Sequence, residues 1–264
     1  MRHIADGSSS VQSVDRALSI LELVTERPDL GVTAIADAVG LPKSTTFRLL
    51  AVLEAHELVA QVGDRGVYRP GIGIALLAGA VLARHDLVRD SHDVCRALAA
   101  ELRETVNIAI LDEGAAVNLT QDLGGRSVLV HNRIGRRTPL HATSSGKVLL
   151  AGSGAAEIGA VLAELTPRTI TDPRALHVEL DRVRRNGWGS AAGELEIGLN
   201  GVAVPIRIDG AVVGALSASG PGYRLAEESF PMVARRLAAA AAEIGGRLAA
   251  RRTPARQAGT AASG

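Results

Sequence analysis

The stretch Gly40–Leu50 carries hydroxyl and basic side chains at helical spacing, a combination suited to contacting DNA. Gly40 and Pro42 predict a tight turn into a helix, because glycine adopts positive φ readily and proline suits a first helical turn. One face of that helix would present short hydroxyls near its N-terminus and an arginine one turn later, which can reach base edges and phosphates. The candidate DNA contacts on this helix are Lys43, Ser44, Thr45, Thr46 and Arg48.

The opposite face of the same helix is apolar and predicts how the helix is anchored. Phe47, Leu50 and Leu53 fall together at helical spacing, and we expect them to seal the core of a three-helix unit. The glycine-rich turn over residues 63–66 then predicts a hairpin. Two arginines, one at its tip and one on its return strand, are candidates for contacts to flanking phosphates or the minor groove: Arg65 and Arg69.

The charge balance gives no independent support for a nucleic-acid partner. The 264-residue chain has a formal net charge of +1, and residues 1–70 carry seven Lys/Arg against nine Asp/Glu, a net of −2. A polar helix face that simply meets water is therefore the alternative interpretation of the same residues. One Trp, two Tyr and two Phe are too few for the rows of stacking rings that bind single-stranded nucleic acid.

A second candidate site lies where hydroxyl side chains precede an apolar helix, in the segment His141–Lys147. Backbone N–H groups at a helix N-terminus, together with hydroxyls, favour an anion such as a carboxylate. Two serines alternate along a later strand and would point to the same face of a sheet. The candidate ligand contacts are Thr143, Ser144, Ser145, Gly146, Ser217 and Ser219. The residues alone fit equally well a plain helix cap and strand serines that face water.

Other constellations fail on spacing. The segment Ser144–Lys147 lacks the first glycine and the magnesium-binding hydroxyl of a phosphate loop. His85 and His92 lie two helical turns apart, too far to chelate one metal on a straight helix. The lone Cys95 excludes a disulfide framework and fits a reducing, cytoplasmic setting. The sequence predicts no catalytic motif, cofactor or metal site, and no export signal or stretch that spans a membrane.

Periodicity and turn residues predict an α+β protein in four segments. We expect a helical domain with a hairpin over 11–70, a linker helix over 71–86 with a break near His85, an α+β domain over 87–251, and a disordered tail over 252–264. Asp209–Gly210 predicts a two-residue hairpin. The helices predicted in the α+β domain are Gly146–Leu150, Ala155–Leu162, Arg174–Arg185 and Ala226–Leu248. An apolar stripe on the linker helix is expected to pack against a partner subunit: Ile72, Leu76, Leu77 and Ala80.

The order and spacing of several segments resemble the isocitrate-lyase-regulator (IclR) family of transcription factors. The resemblance implies a winged helix-turn-helix domain joined by a linker helix to a GAF-like effector-binding domain. It further implies a homodimer or dimer of dimers that binds double-stranded operator DNA and responds to a small organic acid. The segments that carry it are Ser13–Leu21, Gly40–Leu50, Glu104–Asp112, Gly135–Ala151, Leu165–Pro173, Gly201–Ile206 and Ala215–Pro221.

The same resemblance implies that effector contacts come from Ser144–Gly146, the strand serines and the segment between Trp188 and Val202. Some family members carry an Asp and a Cys in that segment to hold small oxo-acids, where this chain has Ala191 and Gly201. This departure removes two polar partners and leaves room, so we expect a bulkier or more apolar acid than glyoxylate or pyruvate, an aromatic acid among them. Two alternatives stay open: a DNA-bridging winged-helix protein without an effector, and an enzyme on the α+β domain.

Overall fold

The protein divides into two compact units between Arg84 and His85. The computed structural model describes residues 11–63, 66–125, 133–153 and 162–260. The helix expected over Ala155–Leu162 lies outside the described residues, apart from Leu162. No helix among the described residues combines the length and the apolar composition that crossing a membrane requires.

The first unit packs short helices against a small sheet in which the strands run β1-β3-β2, with both pairs antiparallel. The predicted hairpin is therefore present as the pair β2–β3. Its elements are α1 (Gln12–Glu26), β1 (Leu30–Gly31), α2 (Val32–Val39), α3 (Lys43–Ala55), β2 (Val59–Val62), β3 (Val67–Pro70) and α4 (Ile72–Arg84).

The side of α3 that enters the core differs from the predicted one by one residue. Thr46, Leu50 and Leu53 are buried, whereas Phe47 is 57% exposed. Positions i, i+4 and i+7 share a helix face, and a neighbouring residue lies about 100° away, so a core that receives residue 46 leaves residue 47 outside. Thr46 tolerates burial because its Oγ1 donates to the carbonyl oxygen of Pro42, 3.2 Å away. The prediction that Phe47 seals the core is therefore wrong, and Thr46 takes its place.

The second unit is built on one six-stranded sheet of order β6-β5-β4-β9-β8-β7, in which all neighbours pair antiparallel. The predicted hairpin at Asp209–Gly210 joins β8 to β9, with φ of 49° and 83° at these two residues. The elements are α5 (Asp86–Leu102), β4 (Thr105–Asp112), β5 (Ala115–Asp122), β6 (Arg137–Pro139), α6 (Ser144–Gly152), α7 (Pro173–Asn186), β7 (Gly189–Ala192), β8 (Leu199–Ile208), β9 (Ala211–Pro221), a short 3-10 turn (Glu227–Ser229) and α8 (Phe230–Thr260).

The two faces of this sheet support different layers. On one face, Val202, Val204 and Ile206 of β8 belong to the core that includes α5 and α8. On the other face, Ala203 and Ala215 belong to a smaller core with α6 and α7. This second face carries small and polar residues, so it leaves space beside α6.

The structure agrees with one predicted boundary, the helix break near His85, and differs at the other, the start of the C-terminal tail. The helix break expected near His85 is present, because α4 ends at Arg84 and α5 begins at Asp86. Helix α8 extends to Thr260, whereas the sequence predicts a disordered tail from residue 252. Residues 247–252 are all alanine, arginine or leucine, which are strong helix formers and favour helix as far as Arg252, whereas Pro254 does not.

The position of α3 in its core predicts opposite effects for two neighbouring substitutions. Leu50→Ala removes a fully buried side chain and should lower the free energy of unfolding of the first unit by about 2–5 kcal/mol. Phe47→Ala removes an exposed ring and should change it by less than about 0.5 kcal/mol. Hydrogen exchange of peptides from residues 11–63 measures both, and a larger loss for Phe47→Ala would contradict this packing.

Candidate nucleic-acid interface and ligand cavity

The outer face of α3 carries most of the predicted DNA contacts in accessible positions. Lys43, Ser44 and Arg48 are exposed, and Thr45 is half-buried. No side-chain cap covers the first turn of this 13-residue helix, whose N-cap residue is Pro42. Because the N–H groups of Thr45 and Thr46 donate to the carbonyl oxygen of Pro42, those of Lys43 and Ser44 are the ones suited to an anion such as a phosphate. Thr46 is a correction, because its buried side chain is withdrawn from this face.

The two hairpin arginines receive less support as DNA contacts than the residues of α3. Arg65 lies outside the described residues. Arg69 forms an ion pair with Asp29 through Nε and Oδ1, although both side chains are about half exposed. The hydrogen bond from Arg69 also holds the pKa of Asp29 below its ordinary value. A phosphate contact by Arg69 would therefore have to compete with Asp29.

Seven of the eight predicted ligand contacts line one cavity of about 60 Å³ in the second unit. It lies between the first turn of α6 and the face of the sheet formed by β4, β8 and β9. The predicted residues that line it are Thr143, Ser144, Ser145, Ala191, Gly201, Ser217 and Ser219. The eighth, Gly146, is in the same helical turn, where an added Cβ would lie 2.5 Å from backbone atoms of Leu140. Gly146 therefore lets α6 approach its neighbour closely.

The hydroxyl of Thr143 caps the helix, which was the alternative interpretation of this segment. Its Oγ1 accepts a hydrogen bond from the N–H of Gly146 and donates to the carbonyl oxygen of Pro139, both at 3.0 Å. Ser144 and Ser145 are 6% and 7% exposed and face the cavity. Helix capping and a ligand-facing surface thus coexist in adjacent residues.

The room expected at Gly201 is occupied. A Cβ added at this residue would lie 2.9 Å from Oγ of Ser144, so the serine fills the space that a larger side chain would take. Ser217 and Ser219 lie on the cavity side of β9, as their alternation predicts. Ala191, on β7 directly opposite Gly201, completes this wall.

The sequence did not single out five polar residues that also line the cavity: Asn107, Asn118, Arg133, Thr138 and Asn200. They come from separate strands and from the segment before β6, so only the fold brings them together. Asn107 is 5% exposed, and its Nδ2 donates to Oγ of Ser219 at 3.3 Å. One signal was readable, because Asn107 alternates with Val106 and Ile108 and so lies with Ala109 on the opposite face of the strand. The lining therefore combines these polar groups with apolar residues such as Leu195 and Leu199, and the expected preference for a bulkier or more apolar acid stays a prediction.

A buried ion-pair cluster fixes the far side of α6. Lys147 is 1% exposed, and its Nζ lies 2.7 Å from Oε1 of Glu194, 2.9 Å from the carbonyl oxygen of Ser190 and 3.7 Å from Oε1 of Glu179. Burial alone would raise the pKa of Glu179, but hydrogen bonding to Arg182 and the charges of Lys147 and Arg182 lower it below its ordinary value. Glu194 thus has a structural partner rather than a place in the cavity lining.

Metal and thiol chemistry find no support in the described parts of the chain. No group of three or more His, Cys, Asp or Glu residues lies there close enough to hold a metal ion. Cys95 is buried, and burial together with the charge of Asp122 raises its pKa to about 12, so it is a neutral thiol at ordinary pH.

The Lys147 cluster makes the stability of the second unit depend on acid pH. Because the pKa of Glu179 is lowered by folding, its contribution is present above its unfolded pKa of about 4.5 and is lost as pH falls through the lower folded value. Glu179→Gln should cost about 1–3 kcal/mol of unfolding free energy near neutral pH, and this difference should shrink below about pH 4.5. Urea denaturation across pH measures it.

The exposed carboxylate of Asp181, on the same helix, supplies the control for that measurement. Its side chain is 60% exposed, so Asp181→Asn should change the unfolding free energy by less than about 0.5 kcal/mol. A Glu179→Gln difference that stays constant from neutral pH to about pH 3.5 would contradict the role of the Glu179 carboxylate.

Two family descriptions match the chain, one for each unit. "IclR helix-turn-helix domain" matches residues 13–63, and "Bacterial transcriptional regulator IclR C-terminal" matches residues 79–245. The second match alone covers more than half of the chain.

Known proteins agree with these matches. The chain is 34% identical over 242 residues to the HTH-type transcriptional regulator KdgR of Escherichia coli K12, which covers 89% of this chain and 92% of KdgR. It is 33% identical to the HTH-type transcriptional repressor AllR of the same organism, covering 83% of each. An IclR homologue of Microbacterium hydrocarbonoxydans, solved in complex with 4-hydroxybenzoate, superposes with a TM-score of 0.78 at 28% identity, covering 90% of this chain and 99% of that one. With both of its units matched, the chain belongs to the IclR family of bacterial transcriptional regulators.

Proposed function

We propose that this regulator binds operator DNA through the outer face of α3 and releases it in response to a small organic acid held in the cavity of the second unit. The observation that carries the proposal is the division of α3 into a buried face at Thr46, Leu50 and Leu53 and an exposed face at Ser44 and Arg48. Such a helix is anchored in its domain while its other side is open to a major groove.

Lys43, Ser44, Thr45 and Arg48 are the proposed DNA contacts. The lysine at the helix start and the N–H groups of Lys43 and Ser44 suit phosphates, which supply affinity and salt dependence. The arginine one turn later suits the edge of a guanine. The acidic balance of the first seventy residues does not oppose this, because phosphate binding depends on the charges at the docking face.

A homodimer or dimer of dimers is the proposed assembly. The linker helix α4 exposes a row of large apolar side chains: Ile72, Leu76, Leu77 and Val81 are each 62–67% exposed. An apolar row of this size on a helix indicates a surface that another chain covers. A symmetric dimer would place two α3 helices on the two half-sites of a pseudo-palindromic operator.

The cavity supports a small-acid effector. Its hydroxyls, amides and arginine are the groups that fix a carboxylate and its polar substituents. The relative bound to 4-hydroxybenzoate shows that a member of the family accepts an acid of this kind. Since the family consists of regulators, an enzyme on the α+β domain is set aside. A DNA-bridging protein would leave this polar cavity without a use.

The relatives also guide the direction and setting of the response. AllR is named a repressor, which favours repression that the acid relieves. We infer that the regulated genes form a catabolic operon for the acid that is sensed, and that the protein acts in the cytoplasm, where bacterial DNA lies.

The DNA interface is tested by selecting duplexes from a random pool with the purified protein and measuring the affinity of the enriched sequence. Arg48→Ala should weaken binding by about tenfold or more, because a good arginine–base contact contributes about 1–3 kcal/mol. Lys43→Ala should weaken binding uniformly across sequences and reduce the salt slope by about one. Arg27→Ala removes the same charge from an exposed residue at the end of α1 and should leave the affinity unchanged. Failure to enrich any duplex would overturn the proposed function.

The assembly is tested by placing a charge on the exposed row of α4. Leu76→Glu should lower the dimer fraction measured by sedimentation and weaken operator binding, because a carboxylate buried between subunits is costly. Val178→Glu changes an equally exposed apolar residue on α7 and serves as the control. If the Leu76→Glu variant sediments with the same assembly mass as the parent protein, α4 is excluded from the interface.

A further inference from the structure

Arg133 lines the cavity and is held there by an ion pair with Glu196, whose Oε2 lies 3.0 Å from Nη2 of the arginine. The two partners differ in their contact with solvent, since the arginine side chain is 18% exposed and the glutamate side chain is 53% exposed. A cation is thus largely withdrawn from water beside a polar cavity, while the anion that neutralises it is solvated. Pairs with an exposed partner contribute little stability, so a second carboxylate can replace this one.

Glu196 belongs to the six-residue loop Gly193–Gly198, which joins β7 to β8. Both end residues have positive φ, 65° and 80°, and the N–H of Gly193 donates to the carbonyl oxygen of Leu199 at 2.9 Å to close the loop base. Glu194 is fixed by Lys147, and Leu195 lines the cavity. Glu196 directly follows Leu195 in the loop. A ligand that displaces Glu196 from Arg133 would therefore move the neighbour of a residue that lines the cavity.

Asn107 supplies a second observation in the same cavity. Its side chain is 95% buried, and its Oδ1 accepts no hydrogen bond from the described residues. A buried acceptor without a donor is costly, so the site is matched to a ligand that brings a hydroxyl or similar donor. A ligand that suits this cavity therefore carries an anionic group for Arg133 and a hydrogen-bond donor for Oδ1 of Asn107.

We propose that the effector is a hydroxy-carboxylate whose carboxylate takes the place of Glu196 on Arg133 and whose hydroxyl donates to Asn107. This inference rests on the proposed function, since it names the ligand class of the same cavity. The planar guanidinium presents parallel donors that match a carboxylate, which makes Arg133 the specificity-determining residue for the acid group. Glu196 competes with the effector until the ligand displaces it.

The ligand class is tested by calorimetry with matched compounds on the full chain. Lactate, glycerate and 4-hydroxybenzoate carry both groups; lactamide and 4-hydroxybenzamide lack the charge, and propionate and benzoate lack the hydroxyl. At least one hydroxy acid should bind about tenfold or more tightly than its amide and than its deoxy analogue, because hydrogen bonds to charged groups contribute about 1.5–3 kcal/mol. Binding by none of the hydroxy acids, or equal binding of acid and amide, overturns the inference.

The exchange is tested with the tightest hydroxy acid and four variants. Arg133→Gln should weaken binding by about tenfold or more, and Glu196→Gln should tighten it about threefold to fivefold, as loss of a weak competitor predicts. In the double variant the effect of Glu196→Gln should vanish, because the glutamate acts only through the arginine. Arg136→Gln removes a charge three residues away, at an exposed position, and should bind as the parent does.

The outcomes separate this inference from the proposed function. Weaker acid binding by Glu196→Gln, or tightening that persists without Arg133, would show that the pair supports the cavity rather than competing with the ligand, and would overturn the exchange. A protein that enriches an operator duplex but binds propionate as well as lactate keeps its role as a regulator and loses the hydroxy-acid assignment.

Discussion

The buried ammonium of Lys147 is the interaction on which the second unit depends. A charge that is 99% buried is tolerated only where its hydrogen bonds are satisfied, and here Glu194, Glu179 and the carbonyl oxygen of Ser190 surround it. These partners belong to the loop after β7, to α7 and to β7 itself. One side chain of α6 therefore fixes the positions of three neighbouring elements.

The contacts around Lys147 also determine the geometry of the cavity. Ser144 and Ser145 lie in the first turn of α6, one turn before Lys147, so their hydroxyls are held against the sheet. Ala191 and Leu195 flank the residues that bind the ammonium, and both line the cavity. The wall nearest to α6 is thereby rigid, whereas Glu196, farther along the loop, is solvated. Preorganisation on one side and an exchangeable contact on the other are the properties that a sensor of small acids requires.

Local chemistry explains which features the sequence predicts correctly. Asp209–Gly210 determines its own hairpin, and the break at His85 falls where helical periodicity is interrupted, so both are legible in a few adjacent residues. Adjacent residues do not reveal which face of α3 enters the core. Phe47 is more apolar than Thr46, and only the packing of α1, α2 and the small sheet decides that the threonine enters the core. Arg133 and Asn118 escaped prediction for a related reason, because sheet register and chain crossings bring them to the cavity.

The close approach of Ser144 to Gly201 bears on how such sensors diverge and how they can be redesigned. Since a Cβ at residue 201 would lie 2.9 Å from the serine oxygen, a side chain at this position requires the Ser144 hydroxyl to move. Grafting a cysteine onto β8 to create an oxo-acid biosensor would therefore change the rotamer of Ser144 or require a smaller residue at the start of α6. The helix residue and the strand residue are sterically coupled, so a redesign has to treat them as a pair.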